Sequence, residues 1–182
     1  SIDTQTYKNY EHLVMVDLPT DTISDSEKVI IRQVAKNPRR KVIYMNKRHN
    51  DFGNTPRNTA GRTATGTYIM YLDDDDFYIN DTLSEIYKGL QSHGSCPDMV
   101  VFRCKRNNSE FTNWPPALCK TVSCQWMHKK VIAGQEIVWP NHDRGYFSDG
   151  NFLESVKKLT DPVLIRTINP LVCVDVYSGG KK

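Results

Sequence analysis

The sequence predicts a single α/β domain with a largely parallel sheet, and three observations carry that reading. Strand-sized apolar runs alternate with segments whose apolar residues recur at helical spacing through the first two thirds of the chain. The 182 residues are enough for one core and short for two. One apolar run, Tyr68-Ile69-Met70-Tyr71-Leu72, ends abruptly in Asp73-Asp74-Asp75-Asp76, and open α/β sheets bind ligands at the carboxyl ends of their strands.

Residues 11–17 (EHLVMVD) and 41–46 (KVIYMN) read as buried strands. Between them Ser24-Asp25 caps a helix that carries Val29, Ile30 and Val34 at helical spacing. Thr55-Pro56 opens a second helix, with proline where the first turn tolerates it, and Gly66 closes it before a strand at 67–72. A helix over about 80–93 stops at Gly94, and 98–105 (DMVVFRCK) reads as the next strand. From 107 to 116 the chain turns polar and proline-rich, a seam that divides the domain into halves at 1–106 and 107–182. Beyond it a strand is expected near 120–126 and a helix over 149–159 with the stripe Phe152, Val156 and Leu159, followed by strands near 163–168 and 171–177.

A net charge of +3, with only local basic spots at Pro38-Arg39-Arg40-Lys41 and Lys129-Lys130, argues against a nucleic-acid partner. The longest apolar runs are strand-sized, so no transmembrane segment is expected. Cys96, Cys104, Cys119, Cys124 and Cys173 form an odd set without a C-x-x-C pair, which speaks against a disulfide framework and for a reducing, cytoplasmic location. The five histidines show no ligand spacing and read as surface or structural residues, His128 least clearly so.

Four consecutive carboxylates repel one another, so something positive belongs beside them. Their hard oxygen donors suit Mg²⁺ or Mn²⁺, which take one or two carboxylates and fill the remaining positions with water and phosphate oxygens. Asp73 and Asp75, as alternate residues at a strand end, project toward one ligand. The competing reading is a solvated acidic turn that caps the next helix, and it suits Asp76 and Asp81 at least as well.

Three stretches in register sharpen the picture. Ser1-Ile2-Asp3-Thr4-Gln5-Thr6-Tyr7 through Glu11, running into His12-Leu13-Val14-Met15-Val16-Asp17, looks like an S-x-x-x-Q-T-Y-x-x-x-E helix followed by a strand. Arg57-Asn58-Thr59 and Ala64-Thr65-Gly66-Thr67-Tyr68-Ile69 match R-N-x-G…A-x-G-x-Y-I, and Leu72 to Asp76 match L-D-x-D-D. On these motifs the chain resembles glycosyltransferase family 2, the large GT-A family, over most of its length. The resemblance implies a metal-dependent enzyme, using Mn²⁺ or Mg²⁺, that moves a sugar from a nucleotide-diphosphate sugar such as a UDP-sugar. The acceptor it implies is a hydroxyl of a glycan, glycoprotein or lipid, and it implies inversion at the anomeric centre, while the residues themselves leave retention open. It further implies that Asp17 holds the base, that Asp73 or Asp74 contacts the ribose side, that Asp75 is the direct metal ligand and that Arg57 lies near the donor. Arg57 also reads as an ordinary arginine at a helix N-terminus.

Cys124-Gln125-Trp126-Met127-His128 resembles the family strand that returns beneath the donor site. Ser148-Asp149-Gly150-Asn151-Phe152-Leu153 resembles its (E/G)-D-x-x-(F/L) motif, whose aspartate is the proposed catalytic base; Asp149 reads equally as a helix N-cap. Trp114, Trp126 and Trp139 are candidates for sugar stacking, with packing the better reading for at least two. Ala60 stands where the family has Gly, and Leu18-Pro19-Thr20 replaces its D-G-S, departures that bear on base recognition. The rival functions are a sugar nucleotidyltransferase and a non-catalytic sugar- or cation-binding module on the same scaffold. The family's sheet also contains a central strand before the first helix, so an upstream segment, or another one, is expected to fill that slot.

Overall fold

The computed structural model describes residues 1–74, 76–106, 109–111, 116, 123–140, 148–165 and 172–174. The first strand, β1 (His12–Val16), pairs in parallel with β2 (Arg40–Tyr44), and helix α1 (Asp25–Val34) connects them. Ser24 caps α1 as expected, and the structure adds a reciprocal bond that makes it a capping box: Ser24 Oγ accepts from Glu27 N–H, and Glu27 Oε2 accepts from Ser24 N–H at 2.8 Å. Helix α2 (Asn54–Thr63) packs against β1 and leads into β3 (Tyr68–Met70). A short strand β4 (Asp76–Tyr78) precedes α3 (Thr82–His93), which ends at Gly94 with φ +71°, the left-handed stop its glycine permits.

The chain then forms β5 (Met99–Val101), β6 (Cys104–Arg106) and β7 (Ser109–Phe111), so the single strand expected over 98–105 is broken at Phe102-Arg103. After a 3₁₀ turn come β8 (Trp126–Lys129), the hairpin β9 (Val131–Ile132) and β10 (Gln135–Glu136), helix α4 (Ser148–Lys157), β11 (Val163–Leu164) and β12 (Val172–Val174). The strand expected near 120–126 thus starts only at Trp126: residues 123–125 form the 3₁₀ turn, and 120–122 lie outside the described residues.

Four strands form the main sheet in the order β11-β5-β8-β3. β11 and β5 are parallel, whereas β8 runs antiparallel to both its neighbours, so the sheet is mixed. Apolar runs identify strands and leave their direction open. Side chains alternate between two cores. On one face Ile69, Tyr71, Met99, Val101 and Trp126 meet Phe152, Leu153 and Val156 of α4; on the other Met70, Val100, Phe102 and Met127 meet Ile86 of α3 and Ile165. A second four-stranded sheet has the order β4-β12-β6-β7.

Residues 1–11 hold a turn and, among them, no helix, in contrast to the family pattern. Their polar groups are used elsewhere. Gln5 is fully buried, donating from Nε2 to Ile79 O and Ser1 O and accepting at Oε1 from Leu83 N–H, so it caps α3. Asp81 stands at the N-cap position of α3 without a cap bond and accepts from Thr6 Oγ1 instead.

Among the described residues no helix is long and apolar enough to cross a membrane. Cys96, Cys104 and Cys124 are not in disulfide bonds.

Candidate active site at the acidic turn

The strand β3 delivers Tyr71, Leu72 and Asp73 to its carboxyl end, where Asp76 N–H donates to Asp73 O at 3.2 Å and closes the turn. Asp74 is exposed at its tip, and Asp75 lies outside the described residues. Arg57, from the first turn of α2, supplies the positive group that the carboxylates require. Its Nη2 donates to Asp73 Oδ1 at 2.7 Å, its Nη1 donates to Phe52 O at 2.7 Å, and its guanidinium lies 4.6 Å over the Trp139 ring.

Local sequence explains why Arg57 can take that position. Gly53 has φ +81°, and a Cβ there would come within 3.1 Å of Arg57 Nη1, so glycine serves both the turn and the guanidinium. Asp51 Oδ2 accepts from Thr55 N–H at 2.8 Å and caps the same helix. One turn on, Asn58 clamps the Trp139 backbone, accepting its N–H at 2.6 Å and donating to its carbonyl at 2.9 Å. Trp139 is thereby fixed as the floor of the arginine.

Trp126 and Trp139 are both core residues, stacked with Phe152, whose ring lies 4.2 Å from that of Trp139. Neither is placed for sugar stacking, and Trp114 lies outside the described residues. His128 is structural as well. Its Nδ1 faces Lys129 O at 2.7 Å and so carries the proton, while Nε2 accepts from Tyr71 Oη at 3.0 Å; burial pushes the imidazole down to about 4 and the Tyr71 phenol up to about 12. Burial and the neighbouring Asp76 push the Cys124 thiol well above its ordinary value.

Asp17 follows β1 and meets a partner that sequence reasoning missed: its carboxylate accepts the His49 N–H and lies 2.7 Å from His49 Nδ1. A single histidine 32 positions away carries no spacing signal, so only the fold reveals the pair. Asp17, Arg57, Asp73 and Asp74 all line one open groove of about 1890 Å³, together with the exposed ring of Phe52. Asp149 is not among the residues lining that groove; it is the second residue of α4, within the first turn rather than at its cap. Among the described residues no group of three His, Cys, Asp or Glu side chains gathers as a metal site.

The mixed sheet, with helices on both faces and an acidic turn at a strand end, defines a GT-A fold. The chain belongs to glycosyl transferase family 2, whose family model matches residues 1–160. Uncharacterized glycosyltransferases of Rickettsia felis and Rickettsia conorii are each 34% identical to it over 93 residues, 51% of this chain and 14% of theirs. Among solved structures, S. aureus TarS 1-349 in complex with UDP superposes with a TM-score of 0.76 at 16% identity, over 96% of this chain and 54% of that one. The same protein in complex with UDP-GlcNAc gives 0.77 at 16% identity, over 98% of this chain and 53% of that one. At that identity the likeness shows the fold, and the chain spans only part of each relative.

Proposed function

We propose that these residues form the donor-binding and catalytic part of a glycosyltransferase that uses a nucleoside-diphosphate sugar, with UDP-GlcNAc the first donor to try. The observation that carries the proposal is the Arg57–Asp73 pair at the mouth of the groove: a guanidinium with forked donors next to a run of carboxylates can meet both a phosphate and a divalent ion. Asp17 lines the same groove and is assigned to the base, and Asp73 or Asp74 to the ribose side.

The donor set fits Mn²⁺ or Mg²⁺, because every candidate ligand at the turn is a hard carboxylate oxygen. Asp75, with Asp73, is assigned to hold the ion, which when bound stabilises charge on the leaving diphosphate as a Lewis acid. Asp149 is assigned as the base that accepts the proton of the acceptor hydroxyl, with inversion at the anomeric carbon. The acceptor is a glycan, glycoprotein or lipid hydroxyl.

The test is a panel of nucleotide sugars assayed for hydrolysis and transfer with and without Mn²⁺, alongside calorimetry of UDP. Metal-dependent UDP binding with turnover of one donor supports the proposal. Pyrophosphate release from a nucleoside triphosphate and a sugar phosphate would support a nucleotidyltransferase instead, and binding without turnover of any donor would leave a binding module.

A further inference from the structure

Three residues in the turn that leads into α2 have positive φ: Asn50 at +52°, Phe52 at +56° and Gly53 at +81°. Glycine takes that conformation freely and asparagine tolerates it, whereas a bulky side chain adopts it only against steric resistance. Phe52 is therefore the strained member of the turn. Burial of its ring does not offset the strain, since the residue is 54% exposed. Nor does its backbone need a phenylalanine: the Phe52 carbonyl accepts from Arg57 Nη1 at 2.7 Å, a bond that asparagine or glycine at the same φ would make equally well.

Backbone outliers of this kind cluster at ligand clamps and active sites, where the strain holds a side chain in place. The position of Phe52 fits that pattern. It lines the groove together with Asp17, Arg57 and Asp73. In sequence it lies between His49, whose N–H and ring hold the Asp17 carboxylate, and Arg57, which holds Asp73. Three residues of chain reach about 10 Å at most, which keeps Phe52 near the Asp17 end of the groove, while its own carbonyl ties it to the guanidinium.

We propose that Phe52 is a binding residue for the donor nucleotide, its ring stacking on the face of the base whose edge meets Asp17. The proposal rests on the donor site described above and adds to it a residue to which no motif points. A carboxylate such as Asp17 meets a base at its edge and leaves both faces to other groups. The diphosphate is assigned to the Arg57 and acidic-turn end of the groove, so the planar group left for the Phe52 ring is the base. Stacking on an aromatic side chain suits every base, because each has a π-face; Phe52 thus supplies affinity, and the choice among bases falls to Asp17.

Calorimetry with Mn²⁺ on Phe52→Asn and Phe52→Tyr, beside thermal melts, tests the assignment. Asparagine suits the positive φ and keeps the carbonyl, so Phe52→Asn should melt at or above the wild-type Tm. UDP and UMP should both bind it about tenfold more weakly, the scale of one lost stack, while pyrophosphate binds as before. Phe52→Tyr restores the π-face and should bind UDP as the wild type does. An equal loss for UDP and pyrophosphate would place the effect on Arg57 and overturn the inference, and a Tm below wild type would overturn it by making the ring a packing residue. GDP, CDP and ADP are titrated alongside UDP. A wild type that binds none of the four refutes the donor site, and the inference with it; a wild type that binds one of them, with Phe52→Asn unchanged in affinity, refutes the inference alone.

Discussion

Arg57 makes three contacts that a lysine cannot make together: a carboxylate, a backbone carbonyl and an aromatic face. Arg57→Lys is therefore expected to weaken UDP binding about tenfold or more, the scale of one charge-assisted hydrogen bond, while its Tm stays near wild type because the ion pair is partly exposed. Calorimetry beside a thermal melt checks both, and wild-type UDP affinity would move phosphate recognition to another cation. The metal assignment has its own test. Asp75→Asn removes one charge from a like-charged turn, so metal-free stability should hold or rise slightly while Mn²⁺-dependent UDP affinity is lost. Unchanged Mn²⁺ dependence would place the ligand elsewhere. A third residue-scale expectation concerns acid. His128 is buried neutral with its pKa depressed to about 4, so the unfolded chain binds the extra proton first. Its contribution to stability is present above the ordinary histidine pKa and is lost as pH falls from about 6.5 toward 4, by up to roughly 3 kcal/mol. His12 adds to the same limb, its pKa lowered to about 4 by burial and then by Arg40. Denaturation at pH 7 and pH 4.5 should show a smaller acid loss in His128→Gln than in the wild type.

At the level of elements, α3 shows how one small residue sets packing. A Cβ at Gly89 would lie 2.5 Å from Ile165 Cγ2, a branched atom close to its own backbone that cannot swing aside. Gly89→Ala should cost about 1–3 kcal/mol by overpacking, against a helix-propensity gain of about 1 kcal/mol. Adding Ile165→Ala should recover part of the loss in urea titration, and strict additivity would disprove the contact. The elements legible in the sequence were those with local chemistry: the Ser24 cap, the Gly94 stop, and the run 68–72 ending in aspartates. Others depended on distant partners. The hairpin β9–β10 turns at Ala133-Gly134 with both φ positive, at +49° and +78°, a turn type usually signalled by Asn-Gly. The strand β4 pairs with β12, which is far away in sequence. Residues 1–11 carry a helical-looking motif, but the bonds of Gln5 to Ile79 and Leu83 hold that segment in a turn. The Asp17–His49 pair has no local signal for the same reason, and motif register singles out Arg57 and Asp73 without disclosing the ion pair between them.

Across the whole molecule, strands from before and after residue 107 share both four-stranded sheets, and a chain of side-chain contacts joins them again at the acidic turn. Phe152 of α4 stacks on Trp139, Trp139 lies under Arg57, and Arg57 binds Asp73 at the acidic turn. Asn58 and Asn54 of α2 hold Trp139 and Pro140 by their backbones, so this later segment is fastened to α2 beside the acidic turn. That arrangement keeps the first turn of α4, and with it Asp149, in a fixed relation to the turn without placing Asp149 in the groove. A division of labour follows. Asp149→Asn keeps the shape of the side chain and removes its ability to accept a proton, so UDP affinity, Mn²⁺ dependence and Tm should all stay near wild type. Transfer to the acceptor should fall by roughly 10² or more, the scale of lost general-base assistance. Because Asp149 lies inside the first helical turn, the charge lost there costs about 0.3–1 kcal/mol through the helix dipole, and a Tm near wild type would show that a large loss of transfer is not unfolding. A pH–rate profile separates the remaining possibilities. The wild type should lose transfer on the acid side as the base is protonated, and the variant's residual rate should lack that limb. Transfer at wild-type rate by Asp149→Asn would reassign the base to another carboxylate or replace inversion with a retaining mechanism.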